Sequence, residues 1–210
     1  MKTEKKKMTF LAALLAGALV CAAPIQGFAA SLGLTTGSPT LEASLAFIDY
    51  IDFDPDGDLS TFGAEVDSSV GVSPTGFTEL SFGVGFSLTD PLSGFDGGFE
   101  VVDEDLIDPL FLGGDLIAVG YTEDVFEFQF GNLVGSAAGD FGDSVLMVVT
   151  LFDSLGDNPF AGLSDGEFYD ASIIVSSVVP SPVPIPAALP LFLSALVGFG
   201  WLGRKQRSKG

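Results

Sequence analysis

Alternation of hydrophobic and polar positions is the main pattern between residues 30 and 179. In the segment TELSFGVGFSLTD every second position, from Leu80 to Leu88, is apolar. A period of two predicts a strand with one buried face, because successive side chains of a strand point to opposite sides. The segment VFEFQF repeats the pattern and directs three phenylalanines inward, Phe126, Phe128 and Phe130.

Two further segments predict strands of different character. VLMVVTLF, residues 145–152, is continuously apolar, as a central strand covered on both faces would be. ASIIVSSVV, residues 171–179, is rich in β-branched residues. A helical period appears only weakly, in LEASLAFI, residues 41–48. Turn-forming clusters such as DPDGD, SGFDGG and SLGDNP separate the strands. Such short strands are typical of an all-β antiparallel sandwich or barrel, and of the two we predict a jelly-roll-like β-sandwich over residues 30–179.

The charges of the chain are segregated. The net charge is −20, and all 8 lysines and arginines lie near the two ends, whereas every acidic residue except Glu4 lies between them. A surface of this kind repels phosphate backbones, so we expect no binding to nucleic acid. The chain is also 47% hydrophobic with 20 phenylalanines, and it can therefore bury a core, which disordered acidic chains cannot do.

The composition excludes most catalytic chemistries. The chain has no histidine, and its single cysteine, Cys21, lies in the N-terminal apolar segment. This leaves no Ser-His-Asp or Cys-His site, no phosphate loop with its lysine, and no zinc or iron–sulfur site built on histidine or cysteine. A pair of carboxylates could still serve a glycosidase. Nothing singles out such a pair, tyrosine and tryptophan are scarce, and the phenylalanine pattern predicts a core, so we predict that the protein is not an enzyme.

The first 29 residues have the three parts of a secretory signal peptide. A basic start precedes an apolar centre from Phe10 to about Ala23, and small residues follow. Gly27 and Ala29 place small side chains at the two selected positions, which predicts cleavage after Ala29. Lipidation at Cys21 is disfavoured because Val20 precedes it. The sequence therefore predicts export.

The segment DFDPDGDLS is the best candidate for a metal site. Alternating carboxylates followed by a glycine, D-x-D-x-D-G, begin many calcium loops, because the glycine permits a turn that brings the oxygens together. Two features depart from an EF-hand loop: Gly63 takes the place of the bidentate glutamate, and Pro55 takes the fourth position. The segment therefore fits either a solvated acidic turn between strands or, as the candidate metal site, a looser calcium site in a loop of the β-domain. Its ligands would be Asp52, Asp54, Asp56 and Asp58.

A second acidic cluster occurs in EVVDEDLIDP. Adjacent carboxylates in a loop can collect cations, although runs of charge usually form a solvated face. The residues concerned are Glu100, Asp103, Glu104, Asp105 and Asp108.

The C-terminal part has three ordered features. Prolines punctuate the spacer, residues 180–186, and end the last predicted strand because proline cannot donate to a ladder. Residues 187–203 are apolar and uncharged, which predicts one transmembrane helix. The tail, residues 204–210, carries Arg204, Lys205 and Arg207, and the positive-inside rule predicts that it stays cytoplasmic.

These features resemble a known sorting signal. Its motif would be Val183, Pro184, Ile185, Pro186 and Ala187. Together with the apolar segment and the Arg-Lys-Gln-Arg tail, the motif is similar to the C-terminal signal of PEP-CTERM proteins in the VPLPA variant, with isoleucine in place of leucine. The resemblance covers about the last 28 residues of the chain. It implies recognition by an exosortase-type membrane enzyme, cleavage near the motif and transfer from the inner membrane to the envelope, the surface or the exterior.

The resemblance also implies a role, since proteins with this signal are often linked to exopolysaccharide and biofilm matrix. We therefore predict a secreted or surface protein with a structural or adhesive function in such a matrix. The alternative is a calcium-dependent carbohydrate-binding or glycan-processing module. The middle domains of these proteins are diverse, so the signal itself does not identify what residues 30–179 bind.

Overall fold

The computed structural model describes residues 31–179, which form nine strands and two short helices. The elements, in chain order, are β1 (Thr35–Asp52), β2 (Asp56–Glu65), β3 (Ser68–Val70), β4 (Thr78–Ser87), β5 (Asp96–Asp103), β6 (Leu110–Thr122), β7 (Val125–Val134), α1 (Ala138–Phe141), β8 (Val145–Leu151), α2 (Pro159–Gly162) and β9 (Phe168–Val179).

Eight of these strands close into an antiparallel barrel. From β4 to β9, each strand pairs with the next one along the chain. β9 then pairs with β1, β1 pairs with β2, and β2 pairs with β4, which completes the ring. The short β3 adds a ninth strand beside β1. Neighbouring strands are thus mostly consecutive in sequence, as in an up-and-down barrel.

The jelly-roll-like sandwich predicted for residues 30–179 is therefore wrong. A sandwich consists of two sheets with free edges. Here the pairing of β1 with β2 joins the two edges of one sheet and closes it into a ring. Among residues 31–179, no helix is both long and apolar enough to cross a membrane. The predicted transmembrane helix, residues 187–203, lies outside the described residues, as do the predicted signal peptide, spacer and basic tail.

The individual strand predictions are largely confirmed. The alternating segment forms β4, whose buried and half-buried positions follow one another without a break. β8 is apolar on both faces, although Phe152 just beyond it is exposed. The weak helical period of residues 41–48 belongs instead to β1, where a bulge lies between Ala43 and Ala46. Both alanines are buried, and the bulge produces their helix-like spacing of three residues.

The barrel interior is filled by apolar side chains, as expected for eight strands. Phe126, Phe128 and Phe130 of β7 are fully buried, as their alternation predicts. They pack on rings from facing strands, with centroid separations of 5.8 Å between Phe82 and Phe128 and 4.7 Å between Phe99 and Phe130. The core of the barrel is therefore built largely from packed aromatic rings.

The two helices cover opposite ends of the barrel, because α1 connects β7 to β8 and α2 connects β8 to β9. In α2, Phe160 packs edge-on against Phe86 and Phe126, each with a centroid separation of 4.8 Å. The Asn158 side chain accepts a hydrogen bond from the Phe160 amide at 3.1 Å and begins the helix. α2 thus covers one end of the barrel with an aromatic side chain.

Candidate functional site

The outer face of the barrel contains an open groove of about 780 Å³. It crosses the strands from β1 to β7, and its floor is the outer side of the sheet. The strand register places one row of cross-strand partners along this floor. In order from β1 to β6, the row is Asp49, Ser60, Gly83, Gly98 and Asp115. At about 4.8 Å between neighbouring strands, its Cα atoms span about 19 Å.

Glycine makes the groove possible, since the outer surface of a barrel is convex and side chains would normally cover it. Gly83 and Gly98 are direct partners at the middle of the row, and Gly113 on β6, the partner of Glu100, is the next glycine on the outward face. Removing the side chains from these neighbouring positions leaves a hollow between the taller residues at either end of the row.

Not all of these glycines are required by packing. A Cβ at Gly113 would meet the Phe99 carbonyl oxygen at 3.1 Å, and one at Gly98 would meet the Gly114 carbonyl oxygen at 3.0 Å. A Cβ at Gly83 would meet no atom within 4 Å. Glycine within a strand costs about 0.5–1 kcal/mol relative to alanine, and it often marks a place where a ligand approaches the backbone. The glycine at position 83 keeps the groove open, and the barrel does not need it.

The walls of the groove combine apolar and acidic side chains. Phe62 is 83% exposed and is the most exposed aromatic residue among those described. Ile51 and Val134 are also exposed and add apolar surface. The acidic wall residues are Asp49, Asp58, Glu100 and Asp115. The groove therefore offers one apolar platform and several hydrogen-bond acceptors.

One polar pair is fixed on the far wall. Asn132 adopts a positive φ of 51°, a conformation that asparagine tolerates better than most residues. Its Nδ2 donates a hydrogen bond to Asp115 Oδ2 at 3.1 Å. The contact orients both side chains, and the Asn132 carbonyl and the second Asp115 oxygen can still accept hydrogen bonds.

Carboxylates repel one another on the β2 side of the groove. Partial burial raises the pKa of Asp58 above its usual value, and the nearby charges of Asp96 and Asp49 raise that pKa further. No lysine, arginine or histidine occurs between residues 31 and 179, so no side-chain cation offsets this repulsion. A bound ligand with a positive charge or with hydroxyl donors would relieve it.

The structure divides the four residues of the predicted calcium loop. Asp52, Asp54 and Asp56 lie at the exposed β1–β2 turn, where Asp52 Oδ1 accepts a hydrogen bond from the Asp54 amide at 2.9 Å. Asp58 lies further along β2 and faces the groove. Within residues 31–179, no three acidic side chains are grouped in a manner that could hold a metal ion. Calcium binding at this turn therefore stays a prediction.

The second acidic cluster is also divided. Glu100 lies in the groove, whereas Glu104, Asp105 and Asp108 lie in the exposed loop after β5. Asp103 is fully buried, and its carboxylate accepts hydrogen bonds from the Thr75 amide at 2.6 Å and the Thr75 hydroxyl at 3.0 Å. The Asp105 amide adds a third bond at 3.2 Å. This carboxylate has a structural role, since it joins two loops.

Comparison with known proteins assigns no family: no protein-family model, curated protein or solved structure matches the chain. The predicted sorting motif, residues 183–187, and the basic tail with Arg204, Lys205 and Arg207 lie outside the described residues.

Sequence reasoning missed most of the groove. The alternation of β4 predicts an ordinary polar outer face at its glycine positions, and the phenylalanine pattern predicts core positions throughout. That prediction is wrong for several of the phenylalanines, including Phe47, Phe62 and Phe168, which are all more than half exposed. The available signal was glycine at outward positions of three segments, GVG, DGG and LGG, but only the register shows that these positions are neighbours.

Proposed function

We propose that this protein is an exported adhesive protein of the cell surface or extracellular matrix, and that its barrel holds a polysaccharide chain in the outer groove. The observation that carries this proposal is the open glycine floor at Gly83 beside the exposed ring of Phe62. A sugar ring has apolar faces that pack on an aromatic side chain, and it has hydroxyl groups that donate to carboxylate and amide oxygens. The groove supplies both kinds of partner along a surface of about 19 Å.

The ends of the sequence support the cellular part of the proposal. The signal peptide, residues 1–29, accounts for export, and the similarity of residues 183–210 to a PEP-CTERM signal accounts for delivery to the envelope or surface by an exosortase-type enzyme. The exopolysaccharide association of proteins with that signal agrees with a groove that accepts a sugar chain.

Binding is tested with a variant that fills the groove. In Gly83→Leu, the new side chain extends into open space, so the fold is retained and the groove is blocked. We expect the purified wild-type chain to co-sediment with the polysaccharide of its own host, and Gly83→Leu to lose that retention without a fall in Tm. Gly139→Leu is the matched control, because Gly139 in α1 is equally open and lies outside the groove. Retention of Gly83→Leu at the wild-type level contradicts the proposal.

Sorting is tested separately. Replacement of residues 183–187 by a Gly/Ser spacer of equal length is expected to stop processing, so that the chain keeps its C-terminal mass and fails to reach the surface. Mass spectrometry of the mature protein from its host measures the outcome. Unchanged processing and release in this variant remove the exosortase part of the proposal and leave the binding part standing.

A glycan-processing activity is the second candidate, and one observation favours it. Asp58 has a raised pKa and lies in the groove with Asp49, and glycosidases combine a carboxyl group of raised pKa with a second carboxylate. An adhesive protein releases no reducing ends from the bound polymer. If the wild-type protein releases reducing ends and Asp58→Asn does not, the function is hydrolysis and not adhesion.

A further inference from the structure

The charge of the groove restricts the kind of polysaccharide that can bind there. Four carboxylates line the walls, and the whole segment from residue 31 to residue 179 has no basic side chain. A polymer rich in uronic acid, sulfate or phosphate would be repelled at every position along the groove. The positive charge that balances these carboxylates must therefore come from the ligand.

The positions of the carboxylates favour a distributed positive charge over a single ion. Asp49 and Asp115 stand at the two ends of the five-strand row, and Asp58 and Glu100 lie in the rungs on either side of it. In the described part of the chain, no three of them converge as ligands of one metal would. An extended molecule with repeated positive groups can reach them separately.

We propose that the groove binds a polysaccharide containing unacetylated amino sugars, whose ammonium groups pair with the wall carboxylates while a sugar face packs on Phe62. This inference rests on the proposed function and specifies its ligand. Each ammonium group can donate three hydrogen bonds, and charge-assisted bonds to carboxylates are roughly twice as strong as neutral ones.

A cationic peptide is the competing ligand, and the sheet disfavours it. Extended peptides commonly bind by adding a strand to a free sheet edge. The groove lies on the face of strands that are each paired on both sides, so it presents no such edge. Recognition there uses side chains and the exposed floor at Gly83, which suits a chain of rings.

The experiment compares oligomers of β-linked glucosamine with the same oligomers after complete N-acetylation. Titration calorimetry of the purified full-length chain is carried out at about pH 6, where amines and carboxylates of ordinary pKa are both charged. We expect the free amine form to bind about tenfold more tightly, and its advantage to shrink as the salt concentration rises. Gly83→Leu is expected to abolish binding of both forms.

Two variants that each lack one carboxylate test whether the preference for the amine form arises in the groove. Glu100→Gln removes a groove carboxylate, and Glu104→Gln removes a carboxylate from the exposed loop nearby, so that the two variants have the same net charge. We expect Glu100→Gln to weaken binding of the amine form several-fold and to leave the acetylated form unchanged. Glu104→Gln is expected to change neither.

The outcomes separate this inference from the proposed function. Equal binding of the amine and acetylated forms, lost in Gly83→Leu, overturns the amino-sugar assignment and leaves polysaccharide binding intact. Binding of an oligolysine in the groove as tightly as the amine oligomer also overturns it, in favour of a general cation site. Failure of the host polysaccharide and of both oligomers to bind overturns the inference and the proposed function together.

Discussion

At the scale of single residues, Asp103 shows how a buried carboxylate can exist in a domain that contains no basic side chain. Burial alone would raise its pKa, but hydrogen bonds from the Thr75 amide, the Asp105 amide, the Thr75 hydroxyl and the Gly76 amide lower the pKa below its usual value. Backbone donors thus replace the missing cation. They also hold the loop before β4 against the loop after β5.

This arrangement predicts the effect of Asp103→Asn. An amide offers one acceptor oxygen in place of two and directs its NH₂ group toward other donors, so we expect a loss of about 2 kcal/mol in the free energy of unfolding. The pKa of Asp103 is lowered in the folded state. The stabilisation that its carboxylate provides is therefore complete above the unfolded pKa of about 4, and it is lost as pH falls through the folded pKa. Urea unfolding at several pH values measures it. Asp105→Asn, in the exposed loop, is the control and should change little.

Asp58 is the opposite case. Its folded pKa is raised by burial and by Asp96 and Asp49, so its ionised form opposes folding. The destabilisation by ionised Asp58 is complete above its folded pKa and disappears below its unfolded pKa. We therefore expect Asp58→Asn to raise Tm at neutral pH and to have no effect in acid. Asp108→Asn removes an equal charge from an exposed loop outside the groove, and a matching rise in that variant would show that the effect is not local.

At the scale of elements, periodicity predicted strands well where the register is regular and poorly where it changes. The alternation of β4 persists because its pairing with β5 has no bulge. β1 has two register shifts along its pairing with β9, and each one moves the apolar positions to a new phase. A bulge is chosen by tertiary pairing, so the local sequence of residues 41–48 could not distinguish it from a weak helix.

The helix α2 gives a prediction at this scale. Phe160 is its one aromatic side chain and packs against Phe86, Phe126 and Tyr121 at the end of the barrel. We expect Phe160→Ala to lower the free energy of unfolding by about 3 kcal/mol, since it leaves a cavity that the surrounding rings cannot fill. Phe168→Ala, at a position that is 68% exposed, should cost less than about 0.5 kcal/mol. Equal losses measured by urea unfolding would contradict the role of α2 as a packed cap.

At the scale of the whole molecule, the sequence could predict the all-β class, but it could not predict that the strands close into a barrel. Alternating strands and turn signals are common to sandwiches and barrels, and the choice depends on whether the first strands meet the last ones. Here the long β1 pairs with β9 along most of its length and with β2 at its end, so a single strand completes the ring. The groove has the same origin, because Gly83 and Gly98 become neighbours only through pairing of β4 with β5.

The charge of the domain affects its stability. Acidic side chains cover a barrel that has no basic side chain between residues 31 and 179, so their mutual repulsion opposes the compact state. The screening length falls from about 30 Å at 0.01 M salt to about 3 Å at 1 M. We therefore expect the Tm of the protein to rise by several degrees as sodium chloride is added over this range, and calorimetry measures it. A constant Tm would show that the acids are too far apart to interact. Calcium chloride at equal ionic strength separates screening from specific binding, because an additional rise that Asp54→Asn and Asp56→Asn abolish can come only from the loop between β1 and β2.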